Sequence, residues 1–547
     1  LFECELCGSL AGDDLAVGQV LMVREARERG YDPLVYPLVR VLDHIAGLRV
    51  TRAGAGAKAQ TLGRIAAAST PDPRLSGFRL VSWSVQALAM RLELAKRAER
   101  SLDVQYYVIH DDDTGRALLR ALRDAALRGV RVRLLVDDLY TADTDPVLLG
   151  LAAYPNVEVR LFNPFPVGRN SLGARLTASL LDFGRVNHRM HNKLFIADGA
   201  MAVAGGRNIG NEYFMVHEEA NYIDLDAFAA GAVVPRLAAL FDQYWNSEHV
   251  FPVQSIVPPE EDAPALQATF ERRTAGSGVP LPMPPAGARD VIGQRSITEE
   301  LAEGRLQLIW APAEAFADSP DKVIHHQRRW LPGARPADEP SVRRGLMNEL
   351  LLGRQEVLLS SPYLVPNADV IEDIREGRLW GLTITLITNS LAATDEPLVH
   401  AGYRRYRREM LDLGVELYEV VPSRVRRGSD LGSFGQSIGR FHAKAAAVDG
   451  KVLFIGSLNF DPRSEKHNTE LGLLIRSPEL TQQLMRLAEI VKTEAAYRVR
   501  LNRDSGRIEW TLPGRAGGET LTEEPDSTWW QRLLLNIVAP LVPEDHL

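Results

Sequence analysis

The sequence predicts an α/β fold of two pseudo-symmetric half-domains, each built on a mixed, mostly parallel sheet flanked by helices. Three observations predict this fold. Strand patterns alternate with amphipathic helix patterns, which is typical of parallel βαβ units. The same order of elements occurs twice along the chain. At 547 residues, the chain is also too long for one ordinary core. A functional site is expected at the interface of the two halves.

The first half shows a clear pattern from about Gly77 onwards. Its first strand pattern is followed by an amphipathic helix pattern, for which Thr114 is the expected N-cap and Gly129 the expected C-cap. The predicted elements are a strand at 101–109, a helix at 114–129, and strands at 130–138 and 157–164.

The second half repeats this order after a Pro/Gly-rich stretch at 275–290. Its predicted elements are strands at 356–366, 382–390 and 415–420, and helices at 369–377 and 397–414. We therefore divide the chain into an N-terminal segment of unclear role (1–76), a first half (77–255), a linker (256–300), a second half (301–500) and a C-terminal tail (501–547).

The composition is that of a globular protein with a net charge of −8. This acidic balance disfavours broad nucleic-acid binding, which needs a basic surface. Cys4 and Cys7 are the two cysteines, too few for a disulfide framework or a four-cysteine zinc site, and we expect no metal and no cofactor. No window of about 18 apolar residues predicts a membrane span. The first residues, with Glu3 and Glu5, do not form a secretory signal.

One pattern occurs once in each half: His-x-Lys, four residues, then Asp. It reads HNKLFIAD from His191 and HAKAAAVD from His442. Residues two apart in a strand share a face, so His191 projects with Lys193, and His442 projects with Lys444. The pattern therefore places an imidazole and an ammonium side by side in each half.

Each motif ends in Asp-Gly between two apolar runs, which is the strongest short signal for a β-hairpin. We therefore expect Asp198 and Asp449 to begin turns and to have a structural role, with no part in proton transfer. After the turn, a short return strand brings Asn208 and Asn459 back beside the histidine of the same half.

An imidazole, an ammonium and a carboxamide in each half suit phosphoryl chemistry. The ammonium and amide groups neutralise and bind the anionic oxygens of a phosphodiester. The imidazole serves as a nucleophile or as a proton carrier near neutral pH. If the halves face each other, one histidine attacks phosphorus while the other protonates the departing oxygen. This division of tasks explains why the motif occurs twice, and the two lysines supply the charge that a metal would otherwise bring.

A nucleophilic imidazole also needs its second nitrogen held, usually by a carboxylate. For the second half, the candidate is Glu470 in NTELGLLI. For the first half, the matching stretch NYIDLDAF selects Asp224, whereas plain spacing from the histidine selects Glu219. The strand context favours Asp224.

The doubled motif, with Gly-x-x-Asn after each copy, resembles the phospholipase D superfamily with its two HxKxxxxD motifs. The likeness extends over roughly residues 77–547. Further stretches resemble its bacterial cardiolipin synthase C-like branch, namely QYYVIHDDDTGRALLRAL, SSPYLVP, ITNSLAATD and GSLNFDPRSEKHNTELG. This resemblance implies a phosphatidyltransferase that forms cardiolipin through a phosphohistidine, with phosphatidylglycerol as the acceptor.

The resemblance also implies individual roles. It makes His191 the nucleophile and His442 the general acid and base. It assigns the substrate phosphate to Lys193, Lys444, Asn208, Asn459 and Ser457. One position departs from the family pattern, because residue 206 is Gly where the family often has Ser. The first half therefore lacks one hydroxyl donor.

Two stretches are candidates for membrane contact. The segment 527–542 predicts a helix with one apolar face. That face consists of Trp529, Trp530, Leu533, Leu534, Ile537 and Val538. Such a helix either lies in a bilayer interface or packs on its own domain. The loop 421–441 carries Arg424, Arg426 and Arg427, which either touch anionic headgroups or are solvated.

Three other functions share parts of this pattern. A phospholipase D that uses water as the acceptor keeps the same covalent intermediate. A nuclease of the same superfamily is disfavoured by the acidic balance. A phospholipid-binding protein without turnover is disfavoured because both histidine motifs are complete. We expect a monomer, peripheral to the bacterial cell membrane, that acts on phospholipids at the membrane surface and binds no nucleic acid.

Overall fold

The computed structural model of the chain describes residues 60–141, 144–165, 169, 173, 187–276, 280–323, 341–426, 431–432, 434–513 and 520–539. Cys4 and Cys7, Arg427 and the side chain of Val538 lie outside the described part of the chain.

The first half contains a nine-stranded sheet. Its strands are β1 (Ser76–Val81), β2 (Ser101–Tyr106), β3 (Arg131–Asp137), β4 (Val157–Phe162), β5 (Leu194–Ala197), β6 (Met201–Gly205), β8 (Asp226–Gly231), β9 (Val250–Pro252) and β10 (Ile309–Ala311), while β7 (Ala220–Ile223) lies outside this sheet. Their order across the sheet is β10-β1-β8-β6-β5-β2-β3-β4-β9.

The second half contains a ten-stranded sheet. Its strands are β11 (Ala313–Ala317), β12 (Glu356–Ser360), β13 (Thr383–Asn389), β14 (Glu416–Val420), β16 (Ala445–Val448), β17 (Val452–Gly456), β18 (Leu471–Arg476), β19 (Ala496–Leu501), β20 (Ile508–Thr511) and β21 (Thr520–Leu521), while β15 (Ile438–Phe441) lies outside it. Their order is β11-β18-β17-β16-β12-β13-β14-β19-β20-β21. The run β1-β8-β6-β5-β2-β3-β4-β9 of the first sheet has the same strand order as the run β11-β18-β17-β16-β12-β13-β14-β19 of the second.

The α/β class, the mixed sheets and the two pseudo-symmetric halves agree with the sequence prediction, but the predicted strand direction was wrong. Within the two large sheets, the parallel neighbours among the described strands are β2-β3-β4 and β12-β13-β14. The strands beside them pair antiparallel. The reason is the Asp-Gly hairpin of each half, which returns the chain at once and adds antiparallel strands beside the parallel unit.

Helices flank both sheets. In the described residues they are α1 (Thr61–Ser69), α2 (Ser84–Arg97), α3 (Asp113–Leu127), α4 (Asp145–Ala152), α5 (Val234–Trp245), α6 (Val253–Ile256), α7 (Ala263–Thr274), α8 (Ile297–Glu303), α9 (Val342–Leu351), α10 (Ala368–Leu379), α11 (Pro397–Asp412), α12 (Pro422–Val425), α13 (Pro462–Lys466), α14 (Pro478–Ile490) and α15 (Trp529–Val538). No helix among them is long and apolar enough to span a membrane.

The N-cap of α3 is not Thr114, as the sequence analysis expected, but Asp112. Its carboxylate accepts a hydrogen bond from the backbone N–H of Gly115 at 2.9 Å. The hydroxyl of Thr114 instead donates to Asp112 at 3.0 Å from inside the first turn. Gly129 follows the last turn with a φ of 92°, in the left-handed region that glycine adopts without strain.

Three strands pair with a sheet that lies outside the segment proposed for them from the sequence. β10 lies beyond residue 301 but pairs with β1 in the first sheet. β20 and β21 lie within the proposed C-terminal tail but extend the second sheet. The proposed linker, 256–300, contains helix α7 and the first residues of α8.

The two halves share backbone hydrogen bonds as well as a core. β7 of the first half pairs in parallel with β15 of the second, with Ile223 opposite Phe441. The symmetry-related contact is a parallel bridge between Met190 and Thr469. One apolar cluster contains buried side chains from both sheets. These two crossings fix the position of each His-x-Lys segment against the other half.

The Asp-Gly hairpin turns are present as predicted. Asp198 and Gly199 have φ of 53° and 61°, and Asp449 and Gly450 have φ of 50° and 62°. Positive φ at both central residues is the signature of a type I′ turn. The Asp198 carboxylate accepts hydrogen bonds from the backbone N–H groups of residues 99–101, and Asp449 accepts from those of 354–356.

Replacing Asp198 with Ala should therefore destabilise the fold without changing the chemistry of the site. It leaves backbone N–H groups near β2 without an acceptor, at a cost of about 2 kcal/mol. Urea denaturation measures this loss, and Asp198→Asn, which keeps one acceptor oxygen, should lose less. An Asp198→Ala variant of unchanged stability but abolished turnover would contradict a structural role.

Candidate active site

The two His-x-Lys segments directly precede β5 and β16, so the prediction that they lie within these strands was wrong. The side chains of both histidines and both lysines are almost fully buried. The ammonium group of Lys193 donates to the backbone carbonyl of His191 at 2.6 Å, and Lys444 donates to that of His442 at 2.7 Å. Each lysine is therefore held over the backbone of its own histidine.

Each carboxylate contacts the histidine of the other half, whereas the sequence analysis paired Asp224 with His191 and Glu470 with His442. Nδ1 of His191 lies 3.0 Å from Oε2 of Glu470, which belongs to the second half. Nδ1 of His442 lies 2.6 Å from Oδ2 of Asp224, which belongs to the first half. The residues selected were Asp224 and Glu470, as predicted, but the pairing within one half was wrong.

Backbone pairing between the halves is the physical reason for this exchange. The N–H of His191 donates to the carbonyl of Thr469 at 2.8 Å, and the N–H of His442 donates to the carbonyl of Ile223 at 2.8 Å. Glu470 and Asp224 are the next residues along those chains. Each histidine therefore meets the carboxylate that follows its backbone partner in the other half.

The tautomer of His191 follows from a third contact. Nδ1 of His191 lies 3.0 Å from the backbone carbonyl oxygen of Ser457. A carbonyl oxygen only accepts hydrogen bonds, so Nδ1 carries the proton. The lone pair of neutral His191 is then on Nε2, the nitrogen away from Glu470.

Burial shifts the pKa values of the site. It lowers the pKa of His191 well below its usual value, and the charges of Lys193 and Lys444 lower it further. Burial and Lys444 also lower the pKa of His442. Burial lowers the pKa of Lys444 to about 8 and raises that of Glu470 to about 7.

Asp224 differs from Glu470 in its titration. Burial alone would raise the pKa of this carboxyl group, but the contact with His442 and the charge of Lys444 keep it below its usual value. Asp224 is thus held as a carboxylate at neutral pH, whereas Glu470 titrates there. The two histidine–carboxylate pairs have similar geometry, but the pKa of Asp224 is lowered and that of Glu470 is raised.

Residue 206 is Gly because Asp224 occupies the space of a side chain. A Cβ atom on Gly206 would lie 2.3 Å from Oδ1 of Asp224. At the corresponding position of the second half, the hydroxyl of Ser457 donates to Glu470 at 2.5 Å. This hydrogen bond uses the single proton of Ser457, so the geometry favours a role in positioning Glu470 over the phosphate contact that was predicted.

The two predicted phosphate-binding asparagines have unpaired amide atoms. Asn208 contacts the hydroxyl of Tyr213 at 2.9 Å through Nδ2, and its buried Oδ1 has no partner among the described residues. Oδ1 of Asn459 is likewise buried without a partner in that part of the chain. Buried polar atoms in a folded protein are nearly always paired, so these two oxygens indicate contact with a hydrogen-bond donor of a ligand, whereas phosphate oxygens would accept from the Nδ2 amide groups.

Aromatic side chains that the sequence analysis missed line the site. The ring of Tyr107 lies 5.1 Å from that of His191, and the rings of Tyr213 and Tyr222 lie 5.3 and 4.8 Å from that of His442. The hydroxyl of Tyr222 donates to Asp395 at 2.9 Å. Tyr107 could have been found from its position at the carboxyl end of a parallel strand, where sites of α/β proteins gather.

Comparison with known proteins shows the family of this chain. The family model described as "Cardiolipin synthase, PLD-like domain" matches residues 92–245 and 346–490. The chain is 38% identical to cardiolipin synthase C of Escherichia coli (strain K12) over 501 residues, which are 88% of this chain and 99% of that protein. This chain belongs to the phospholipase D-like cardiolipin synthase family.

More distant relatives lead to the same family and fold. The cardiolipin synthase of Geobacillus kaustophilus is 23% identical over 392 residues, covering 72% of this chain and 61% of that protein. Among solved structures, phosphatidylserine synthase of Haemophilus influenzae Rd KW20 has the same fold, with a TM-score of 0.54 and 14% identity, covering 86% of this chain and 96% of that one.

Adding a methyl group at Gly206 should damage the site without unfolding the protein. Gly206→Ala forces Asp224 away from His442, and a displacement of about 1 Å costs roughly 100-fold in rate. Turnover of a phospholipid substrate and thermal unfolding are the measurements. Ser457→Ala, where a Cβ is already accommodated, is the control and should lose less than about tenfold. Full activity of Gly206→Ala would refute the steric argument.

Proposed function

We propose that this chain forms cardiolipin by transferring a phosphatidyl group from one phospholipid to the hydroxyl of phosphatidylglycerol. The observation that carries the proposal is the meeting of two complete His-Lys-carboxylate sets at the interface of the halves, in a chain that belongs to the cardiolipin synthase family. Two imidazoles on opposite sides of one phosphorus suit a reaction that proceeds in two displacements.

His191 is the nucleophile in this proposal. Its Nδ1–H is held by Glu470 and the Ser457 carbonyl, which leaves the Nε2 lone pair free to attack. Its lowered pKa keeps it unprotonated at neutral pH. The new bond joins Nε2 to phosphorus, and the bond from phosphorus to the oxygen of the donor's headgroup breaks.

His442 is the general acid and then the general base. Asp224 at 2.6 Å stabilises its protonated form. An anionic phosphodiester bound between the two lysines brings a negative charge that favours one imidazolium. In the first step, His442 gives its proton to the departing headgroup oxygen. In the second, it takes the proton of the acceptor hydroxyl, whose oxygen attacks phosphorus and releases His191.

The remaining polar groups bind the phosphate. Lys193 and Lys444 neutralise its oxygens, and the amide groups of Asn208 and Asn459 bind them by hydrogen bonds. Ser457 acts through Glu470, to which its hydroxyl donates. No step of this reaction requires a metal ion, since the lysines supply the positive charge.

A mixed-micelle assay with labelled phosphatidylglycerol, with and without phosphatidylethanolamine, tests the proposal. Wild type should form cardiolipin, and His191→Ala and His442→Ala should each lose at least about 1,000-fold in rate because each lacks one reacting group. His249→Ala, which changes a histidine directly before β9, is the matched control. Phosphatidic acid as the only product would make the protein a hydrolase, and absence of lipid turnover would direct attention to a nuclease or a binding protein.

An activated donor with a nitrophenol headgroup separates the roles of the two histidines. Its leaving group needs no proton, so His442→Ala should release nitrophenol in a burst and retain an acid-labile phosphatidyl adduct on His191. His191→Ala should show neither burst nor adduct. An adduct in His191→Ala and none in His442→Ala would reverse the assignment.

The pH dependence of kcat/KM should be bell-shaped around a narrow optimum. As the pH falls below about 7, Glu470 becomes protonated and loses the negative charge with which it stabilises the Nδ1–H of His191. As the pH rises above about 8, Lys444 loses the charge that binds phosphate. Glu470→Gln should be slower and lose the acid limb, whereas Asp224→Asn should be slower and keep it, because the pKa of Asp224 is already low. An unchanged acid limb in Glu470→Gln would assign it to another group.

A further inference from the structure

One face of helix α15 exposes large apolar side chains to solvent. This apolar face consists of Trp529, Trp530, Leu533, Leu534 and Ile537, which are 57, 62, 41, 63 and 59% exposed. They span an arc of about 140° at roughly 100° per residue. Contiguous exposed apolar surface of this kind marks an interaction site.

The helix is held firmly in spite of this exposure. Thr528 and Gln531 form a capping box at its start. On the side opposite the apolar face, Leu535 is buried against Leu391 and Ala401. Just before the helix, Glu524 forms an ion pair with Arg407 of α11 at 2.8 Å. The fold therefore presents the apolar face in a fixed orientation.

Helix α15 lies against the loops that follow the carboxyl ends of β13 and β14, and at that end Asn389 of β13 contacts the backbone of Phe441 beside His442. Leu391, on which α15 packs, follows the carboxyl end of β13. The same loop continues to Asp395, which accepts the hydrogen bond from Tyr222 beside His442. The carboxylate of Asp526 accepts from the N–H of Ser423, just beyond β14. Both contacts place α15 at the same end of the second sheet as the loop that reaches Tyr222.

Arginines flank the apolar face. Arg404 of α11 donates to Asn536 at 3.2 Å, and Arg405 donates to the carbonyl of Ala539 at 2.5 Å. Arg408, one turn further along α11, is 57% exposed. A rigid helix with paired tryptophans, an apolar stripe and adjacent arginines matches the interface of a bilayer with anionic headgroups.

We propose that the apolar face of α15 binds the surface of a membrane containing anionic phospholipid and so places the mouth of the active site at the lipid headgroups. The biological sense of this proposal rests on the proposed function. The binding itself is a separate property and is measured without turnover.

Vesicle binding tests the proposal. Wild type should bind vesicles of phosphatidylethanolamine and phosphatidylglycerol and bind phosphatidylcholine vesicles more weakly. The double variant Trp530→Gln/Leu534→Gln should lose at least about tenfold in affinity for the anionic vesicles, or about 1.4 kcal/mol. The matched control is Leu379→Gln/Trp380→Gln. It changes another exposed apolar pair, 80 and 85% exposed, at the end of α10 and just before the amino end of β13, and its affinity should stay within about twofold.

A fluorescent probe locates the contact. In a chain with Cys4→Ser and Cys7→Ser, an environment-sensitive dye on Ile537→Cys should shift its emission to the blue when anionic vesicles are added, and the same dye on Leu379→Cys should not. Equal shifts at both positions, or vesicle binding that is unchanged in Trp530→Gln/Leu534→Gln, would overturn the proposal.

Turnover of a short-chain lipid dispersed as monomers separates this proposal from the proposed function. Trp530→Gln/Leu534→Gln should turn over the dispersed lipid at the wild-type rate and lose turnover in vesicles. If wild type binds vesicles through α15 but turns over no lipid, the membrane contact stands and the proposed function fails. If dispersed and vesicular lipid are turned over equally by the double variant, the membrane contact fails and the function stands.

Discussion

The backbone pairing between the two halves is the interaction on which the site depends. One parallel contact joins the segment before His442 to β7, and its counterpart joins the segment before His191 to residue Thr469. Each half thereby supplies the carboxylate for the histidine of the other. Neither half contains a complete His-Lys-carboxylate set, so the proposed chemistry requires both halves. A shift of one half against the other would separate both histidines from their carboxylates at once.

The second constraint is the burial of charge. Two lysines, two carboxylates and two histidines lie almost entirely out of water, where an uncompensated charge is costly. Burial lowers the pKa values of both histidines, and the neighbouring lysine charges lower them further. In the proposed reaction, the charge of one bound phosphodiester is matched by one proton on an imidazole. The shorter contact of His442 with its carboxylate is the reason for assigning that proton to His442.

Small differences between the halves follow from packing. Asp224 lies so close to Gly206 that a side chain there has no space, whereas Ser457 leaves space for Glu470 and donates to it. The missing hydroxyl in the first half is thus a steric consequence of the carboxylate's position. The pseudo-symmetric fold carries two carboxylates with different titration, and the proposed division of tasks between the histidines rests on that difference.

The sequence by itself determined the α/β class, the duplication and the residues of the site. The doubled His-x-Lys pattern selected His191, Lys193, His442 and Lys444, and the Asp-Gly pairs gave the two hairpins because only a short list of turns accepts positive φ at both positions. These features depend on residues that are close together in the sequence, so the sequence alone is enough to predict them.

Only the tertiary structure decided which groups meet. The exchange of Asp224 and Glu470 between the halves, the antiparallel strands around each parallel unit and the tyrosines beside the histidines all depend on contacts between residues far apart in the chain. The same holds for α15, whose apolar face was visible in the sequence while its exposure was not. A sequence specifies which side chains are apolar, but the packing of distant elements determines which of them remain in contact with solvent.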